Sequence, residues 1–287
     1  MGKIIAITAP KGKVGKTTTA INLAVAFSLS GKKTLLVDLD PASSCAVSLG
    51  FSKKEVANGI FDDVKSNIPF RRFVLRTSVE NLYFIQIDRL PYLNKERMGE
   101  TITNEHILRN ILRPEASDYD YVLLDCPPHL TGTINAGLIA ADSILIPVVP
   151  GEFSIASVRR MISHLNTIRE QYNPNLTIEG ILLTKYEFNN STSFTSKKEL
   201  FRNYPEYTLN TSIPQYAAIK EAVVKHKPLL VYNPNDRAAK AYFRLAEEIS
   251  ERRFLYNVNE KNPTDNYWKE KNDKNYRLWK TNLYNLS

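Results

Sequence analysis

The chain has 287 residues, which is enough for one large α/β domain or two small ones. Its composition, 43% hydrophobic and 24% charged, is that of an ordinary globular protein, and no apolar run is long enough to predict a membrane span. With only two cysteines, a disulfide scaffold or a cysteine-ligated metal centre is disfavoured. The net charge of +8 is compatible with DNA or anionic lipid as a partner, and equally with simple solubility.

Short apolar runs alternate with helical patterns along the first 253 residues, which predicts a doubly wound α/β fold: a mostly parallel sheet flanked by helices. The predicted strands are residues 4–9, 34–38, 82–87, 121–124, 143–148 and 178–184. A helix is predicted directly after the first strand, and further helices at 53–66, 101–112, 154–172, 194–203, 216–225 and 236–253. We therefore expect one domain over residues 1–253.

The first strand leads into a short loop that ends in Gly15-Lys16-Thr17, where a helix pattern begins at once. Strand, loop and helix with this tripeptide at the helix start are typical of a phosphate-binding loop of a P-loop NTPase. The helix N-terminus offers unpaired N–H groups to a polyphosphate, and Gly15 lets the backbone approach it. Lys16 is expected to reach the β- and γ-phosphates, and the Thr17 hydroxyl to ligate Mg²⁺.

The loop departs from the ordinary motif because Pro10 stands where a glycine is usual and Lys11 lies inside it. The segment Lys11-Gly12-x-x-Gly15-Lys16-Thr17-Thr18 resembles the deviant Walker A motif of the ParA/MinD family of ATPases. The resemblance implies an ATP-dependent homodimer in which Lys11 crosses the interface to the partner's nucleotide, and gives Lys11 and Lys16 catalytic roles. The residues that it places at the nucleotide are Lys11, Gly12, Lys13, Val14, Gly15, Lys16, Thr17 and Thr18.

Lys13 stands where the family has a second loop glycine. If this position needs a positive φ, a residue other than glycine costs about 1 kcal/mol. The extra ammonium group either tunes nucleotide affinity or dimer closure, or points to solvent with little effect.

Two aspartates, Asp38 and Asp40, end the second strand, at the sheet edge where ligands of parallel sheets bind. The segment resembles the family's Walker A′ motif. The resemblance implies that Asp40 positions or activates the attacking water, and that Asp38 organises the Mg²⁺ shell and Lys16. In the family, the sequence from this aspartate is usually Asp-Pro-Gln-Gly-Asn. This chain has Asp-Pro-Ala-Ser-Ser from Asp40, so any role of that glutamine is absent or moved to another residue.

Asp125 follows the apolar strand 121–124 as a Walker B element and is expected to hold Mg²⁺ through water. Asp125-Cys126-Pro127-Pro128 resembles the ParA version of this element rather than the MinD version. Cys126 is interpreted as a small packed residue.

The resemblance extends over residues 2–252, and no helix-turn-helix domain precedes the first strand, as in the short ParA/Soj type. It implies that the loops after two later strands clasp the adenine through Thr184, Lys185 and Pro214. It also implies binding to nucleoid DNA without sequence readout, in the cytoplasm, and release when a ParB-like centromere-binding adaptor stimulates slow hydrolysis.

Which residues would contact DNA stays open. The positions at which relatives often carry arginines hold Asn189, Gln215 and Ala218 in this chain. Lysines nearby offer replacement charges, although each alone is equally typical of a solvated surface. The predicted DNA-binding residues are Lys220, Lys225, Lys227 and Lys240, with Lys197, Lys198 and Arg202 as further candidates.

Residues 254–287 are predicted to form a basic, aromatic-containing tail, weakly ordered over 257–273. Tyr276, Trp279, Leu283 and Leu286 share one face of a possible short helix, which docks on protein or lies on an anionic membrane. A MinD-like membrane-cycling ATPase is therefore an alternative, although the sequence at Asp125 opposes it and no membrane partner is expected. A ParA-like ATPase that positions a protein cargo is a third hypothesis, which only the adaptor would distinguish.

Overall fold

The computed structural model describes residues 2–40, 44–52, 55, 70–86, 106–127 and 132–261. The strands are β1 (Lys3–Ile7), β2 (Thr34–Asp38), β3 (Leu75–Arg76), β4 (Leu82–Gln86), β5 (Tyr121–Asp125), β6 (Ser143–Val148), β7 (Thr177–Tyr186) and β8 (Thr208–Pro214). The α-helices are α1 (Lys16–Leu29), α2 (Ser44–Ser48), α3 (Ile107–Glu115), α4 (Gly132–Ala140), α5 (Ser154–Gln171), α6 (Ser191–Asn203), α7 (Ala217–Val224), α8 (Leu229–Tyr232) and α9 (Arg237–Lys261). Short 3₁₀ turns cover Phe70–Arg72 and Ala116–Asp118.

The strands form one sheet in the order β3-β4-β2-β5-β1-β6-β7-β8, in which every pair is parallel except β3 with β4. The predicted doubly wound, mostly parallel sheet is therefore confirmed. Strands β1, β2, β5 and β6 are buried along almost their whole length, which fits the continuous apolar runs at their centres.

A hydrophobic core lies on each face of this sheet. On one face α3, α4 and α5 contribute buried residues such as Leu112, Ile139 and Leu165. On the other face α1 and α9 do so, with Phe27 and Tyr242 among the largest fully buried side chains. Because both faces are covered, the accessible part of the central strands is their ends, and the carboxyl ends of β1, β2, β5 and β6 share one edge.

Several boundaries differ from the sequence predictions. The first strand ends at Ile7 instead of residue 9, and α3 begins at Ile107 and continues through Pro114 to Glu115. The last helix continues to Lys261 instead of ending at residue 253, so part of the segment predicted to be weakly ordered is helical. The predicted helices at 53–66 and 276–286 lie almost wholly or wholly outside the described residues. Within the described ranges, no helix combines the length and hydropathy needed to cross a membrane.

Candidate functional site

The loop between β1 and α1 has a left-handed backbone at two positions, Lys13 (φ 62°) and Gly15 (φ 87°). Glycine adopts this conformation freely, whereas at Lys13 it costs on the order of 1 kcal/mol. One hydrogen bond holds the loop from below: the Thr184 hydroxyl donates to the carbonyl oxygen of Val14 at 2.7 Å, and the same hydroxyl lies 3.3 Å from the carbonyl oxygen of Val148 at the end of β6. The loop is therefore fixed to the carboxyl end of β7 as well as to β1.

Lys16, the first residue of α1, is buried, and its ammonium group donates to the Lys11 carbonyl oxygen at 3.3 Å. Burial lowers the pKa of Lys16, while the negative charges of Asp125 and Asp40 raise it. The Lys11 side chain is exposed by contrast. The positively charged Lys16 thus lies beneath the loop, close to carboxylates, whereas the positively charged Lys11 is exposed to solvent.

Asp38 and Asp125 end adjacent parallel strands in register, and both side chains are fully buried. Asp38 accepts backbone N–H groups from Asp40 at 2.9 Å and from Cys45 at 3.2 Å. Burial, together with the charge of Asp125, raises the pKa of Asp38 well above its ordinary value. Two acidic groups are therefore enclosed side by side beneath the loop.

Burial raises the pKa of Asp125 to about 6, while hydrogen bonds from Thr17 and Cys45 lower it. Its Oδ1 atom is buried and has no hydrogen-bond partner among the described residues. An orphaned carboxylate oxygen beside a second carboxylate and the Thr17 hydroxyl is a set of hard oxygen donors, which suits Mg²⁺. The side chains predicted to serve the metal thus lie together.

Cys45 is a neighbour of this site that sequence reasoning missed. It lies in α2, and its thiol lies 3.4 Å from Asp125 Oδ2. Ligand atoms of Asp38, Cys45 and Asp125 all lie within 4.8 Å of one another. No motif pointed to Cys45, because its place beside the carboxylates arises from the packing of α2 against the ends of β2 and β5. Burial raises the thiol pKa well above its ordinary value, so the thiol keeps its proton and donates a hydrogen bond to Asp125. Cys126 is buried in the core, as predicted.

The three residues predicted at the adenine occupy different environments. The Thr184 hydroxyl donates to the loop carbonyl of Val14 and lies beneath Gly15. Lys185 is exposed with φ 51°, whereas Pro214 is buried at the end of β8, paired with Tyr186. A contact of these residues with adenine stays a prediction.

Two cavities flank the loop. One, of about 150 Å³, is lined by Lys11, Phe153 and Ser154 on the side of α5. The other, of about 240 Å³, is lined by Thr17 and Thr18 on the side of α7 and α8. The start of α1 therefore has open space on both sides.

The lysines predicted to contact DNA, Lys220, Lys225, Lys227 and Lys240, are all exposed. They lie on or beside α7, α8 and the first turn of α9, which contact one another in sequence order. Lys197 is less available for contact with DNA, because its ammonium group donates to the Asn210 carbonyl and lies over the Tyr186 ring.

Comparisons with known proteins show the family of this chain. A family model described as an AAA domain matches residues 2–178. The sporulation initiation inhibitor protein Soj of Bacillus subtilis is 34% identical over 251 residues, which cover 87% of this chain and 99% of Soj. The chromosome partitioning protein ParA of Caulobacter vibrioides is 31% identical over 253 residues, covering 87% and 94% of the two chains.

Among solved structures, the septum site-determining protein MinD of Pyrococcus horikoshii, complexed with Mg-ADP, is similar with a TM-score of 0.71. At 23% identity over 87% of this chain and 96% of MinD, this likeness shows a shared fold. The loop, the strand-end carboxylates, the family model and the Soj and ParA relatives together show that this chain belongs to the ParA/Soj family of P-loop partition ATPases.

Proposed function

We propose that this protein is an ATP-driven switch that closes into a homodimer, binds DNA without reading its sequence, and positions plasmid or chromosomal DNA with a ParB-like adaptor. The observation that carries the proposal is the convergence at the start of α1. A buried Lys16 and the paired carboxylates Asp38 and Asp125 lie beneath the loop, and Lys11 stands exposed on it.

Residues 11–18 would cradle the triphosphate with backbone N–H groups, and Lys16 would bind its β- and γ-oxygens. Thr17, Asp38 and Asp125 would hold Mg²⁺, which offsets phosphate charge. Asp40 is partly exposed at the rim of the site, where it would orient the attacking water and accept its proton. Hydrolysis would be slow until the adaptor completes the site.

Lys11 would contact the triphosphate held by the second subunit. This contact makes the dimer dependent on ATP, because the closed state gains an ion pair that the open state lacks. DNA binding would follow from dimerisation, which doubles the number of lysines that face the phosphates. ATP and DNA are then coupled only through the dimer, and the coupling is reciprocal.

The DNA surface would comprise the exposed lysines on and beside α7, α8 and the start of α9, in a domain spanning residues 1–253. Phosphate contacts by lysine carry no base information, so binding would be independent of sequence and strongly salt-dependent. The protein would act in the cytoplasm, on the nucleoid.

The test is binding to non-specific duplex DNA at two salt concentrations with Mg²⁺ and ATP, a slowly hydrolysed ATP analogue, or ADP. We expect binding with the ATP forms alone, and its loss in Lys11→Ala and Lys16→Ala. Analytical ultracentrifugation of the same samples reports the dimer. Equal binding in every nucleotide state, or in none, would refute the proposal.

A further inference from the structure

Lys13 has a strained backbone in a loop that is fixed on both sides of it. On one side the Lys16 ammonium group binds the Lys11 carbonyl, and on the other the Thr184 hydroxyl binds the Val14 carbonyl. Relaxing Lys13 from φ 62° to a negative φ would break these contacts, since both depend on the path of the chain through residue 13. The backbone of residue 13 is therefore set by the loop, whatever side chain it carries.

The Lys13 side chain is exposed, as is that of Lys11, whereas Lys16 is buried. Among the described residues, no carboxylate oxygen lies within 4.0 Å of the Lys11 or Lys13 ammonium group. Asp125 and Asp40 lie near the Lys16 ammonium group and partly compensate its charge. The outer face of the loop thus carries two positive charges, two residues apart, that have no ion-pair partner among the described residues.

Two such loops repel each other when they face one another with nothing between them. A magnesium–triphosphate complex keeps a net negative charge, so placing one in each site reverses the sign of this interaction. The same lysines therefore oppose closure of the empty dimer and favour closure of the loaded dimer. Each additional lysine on this face enlarges the difference in the free energy of closure between the two states.

We propose that Lys13 is a second intersubunit cation, which acts with Lys11 on the triphosphate of the opposite subunit and makes closure more strictly dependent on ATP. This inference rests on the proposed ATP-dependent homodimer. It gives a role to a charge that phosphate binding within one subunit would not require, because the buried Lys16 is the cation proposed for that contact. Lys13 is a specificity-determining residue for the nucleotide state, and takes no part in proton transfer.

Four variants separate charge from backbone strain. Lys13→Gln keeps the strained backbone and a long side chain and removes the charge, whereas Lys13→Arg keeps both charge and strain. Lys13→Gly removes both, and is expected to raise the melting temperature because glycine adopts positive φ freely. Lys32→Gln, in the turn before β2 at the other end of the sheet, is the matched control for loss of one positive charge.

The measurement is the dimer dissociation constant of the full chain by sedimentation, with a slowly hydrolysed ATP analogue and with ADP, at low and moderate salt. We expect Lys13→Gln and Lys13→Gly to weaken the ATP-analogue dimer about tenfold and to flatten its salt dependence. Lys13→Arg and Lys32→Gln should match the wild type. Binding of a fluorescent ATP analogue to the monomer at low protein concentration should stay within about twofold in all four variants.

Equal dimer affinity and salt dependence in Lys13→Gln and wild type, while Lys11→Ala abolishes the dimer, would overturn the role of Lys13 alone. A wild-type protein that stays monomeric with the ATP analogue would overturn the proposed switch and this inference with it. Weaker monomer binding of nucleotide in Lys13→Gln, matching the loss of dimer, would place Lys13 on its own subunit's phosphates and would also refute the intersubunit role.

Discussion

Asp38 and Asp125 lie directly opposite each other on the adjacent parallel strands β2 and β5, and both carboxylates are fully buried. Enclosing two like charges is unfavourable, and burial together with their mutual repulsion raises the pKa of Asp38 well above the ordinary range. The nearby Lys16 partly offsets this charge and lowers the pKa of Asp125, while burial lowers the pKa of Lys16 itself. The site is thus destabilising without a ligand and suited to a divalent cation.

Stability without Mg²⁺ should therefore fall as the pH rises. A carboxyl group with a raised pKa binds its proton more tightly in the folded chain, so its stabilising contribution is complete below the ordinary aspartate pKa. That contribution is lost as the pH rises through the folded value, about 6 for Asp125. Urea unfolding between about pH 4 and pH 7 should show this decline, and Asp125→Asn should flatten it. An unchanged slope in Asp125→Asn would contradict the assignment.

Mg²⁺ should compensate for this loss. Because the metal binds deprotonated carboxylates, its stabilising effect should grow over the same pH range. Differential scanning fluorimetry with and without Mg²⁺ and ADP measures it, and both Asp38→Asn and Asp125→Asn should reduce the shift. A shift that survives in both variants would place the metal elsewhere.

Asp40→Ala should separate nucleotide binding from hydrolysis. The Asp40 side chain lies at the rim, whereas Asp38 and Asp125 lie beneath the loop, so its removal should leave ATP binding within a few-fold. Loss of a general base lowers the turnover number by about 10²-fold or more. Phosphate release and fluorescent-nucleotide titration measure the two effects, and Lys16→Ala, which should lose binding itself, is the comparison. Normal turnover in Asp40→Ala would exclude its role as the base.

Reversing the charge of single lysines on the proposed DNA surface should weaken DNA binding and reduce its salt dependence. For Lys220→Glu and Lys227→Glu we expect the slope of log affinity against log salt to fall by about 1 or more each. Arg72→Glu, at an exposed position beside the edge strand β3, is the control and should bind as the wild type does. Equal losses in all three variants would indicate an unspecific effect of net charge.

Thr184→Val should loosen the phosphate-binding loop. The variant keeps the shape of the side chain and leaves the Val14 carbonyl without its 2.7 Å hydrogen bond, which should lower the free energy of unfolding by about 1–3 kcal/mol. Nucleotide affinity should fall as well, because the loop is no longer held in place. Thr177→Val removes an exposed hydroxyl on the same strand and should cost less than about 0.5 kcal/mol. Urea unfolding of both variants measures the change in the free energy of unfolding, and nucleotide titration measures the change in affinity.

The elements of the fold that the sequence predicts carry a local sequence pattern, and the elements that it misses lack one. Strand β1 is apolar from Ile4 to Ile7, as expected for a strand that is covered on both faces. Strand β8 is an edge strand with Asn210 at an exposed position and Thr211 and Ser212 at partly exposed positions, so its sequence lacks the apolar run that predicts a buried strand. Strand β3 has two residues and pairs antiparallel, which gives no periodicity to detect. Helix α9 passes residue 253 because neither glycine nor proline occurs within it.

Local sequence patterns were sufficient to predict a phosphate-binding loop and carboxylates at the strand ends. Gly15-Lys16-Thr17 after an apolar run, and aspartates at the ends of two others, indicate phosphate and metal binding because these functions depend on short stretches of backbone. Which of these groups meet depends on the strand order and on helix packing. The strand order makes Asp38 and Asp125 neighbours although they are far apart in sequence, and it brings Thr184 beneath the loop and Cys45 onto the carboxylates. Such contacts arise from the pairing of distant strands and the packing of helices upon them, which no local pattern encodes.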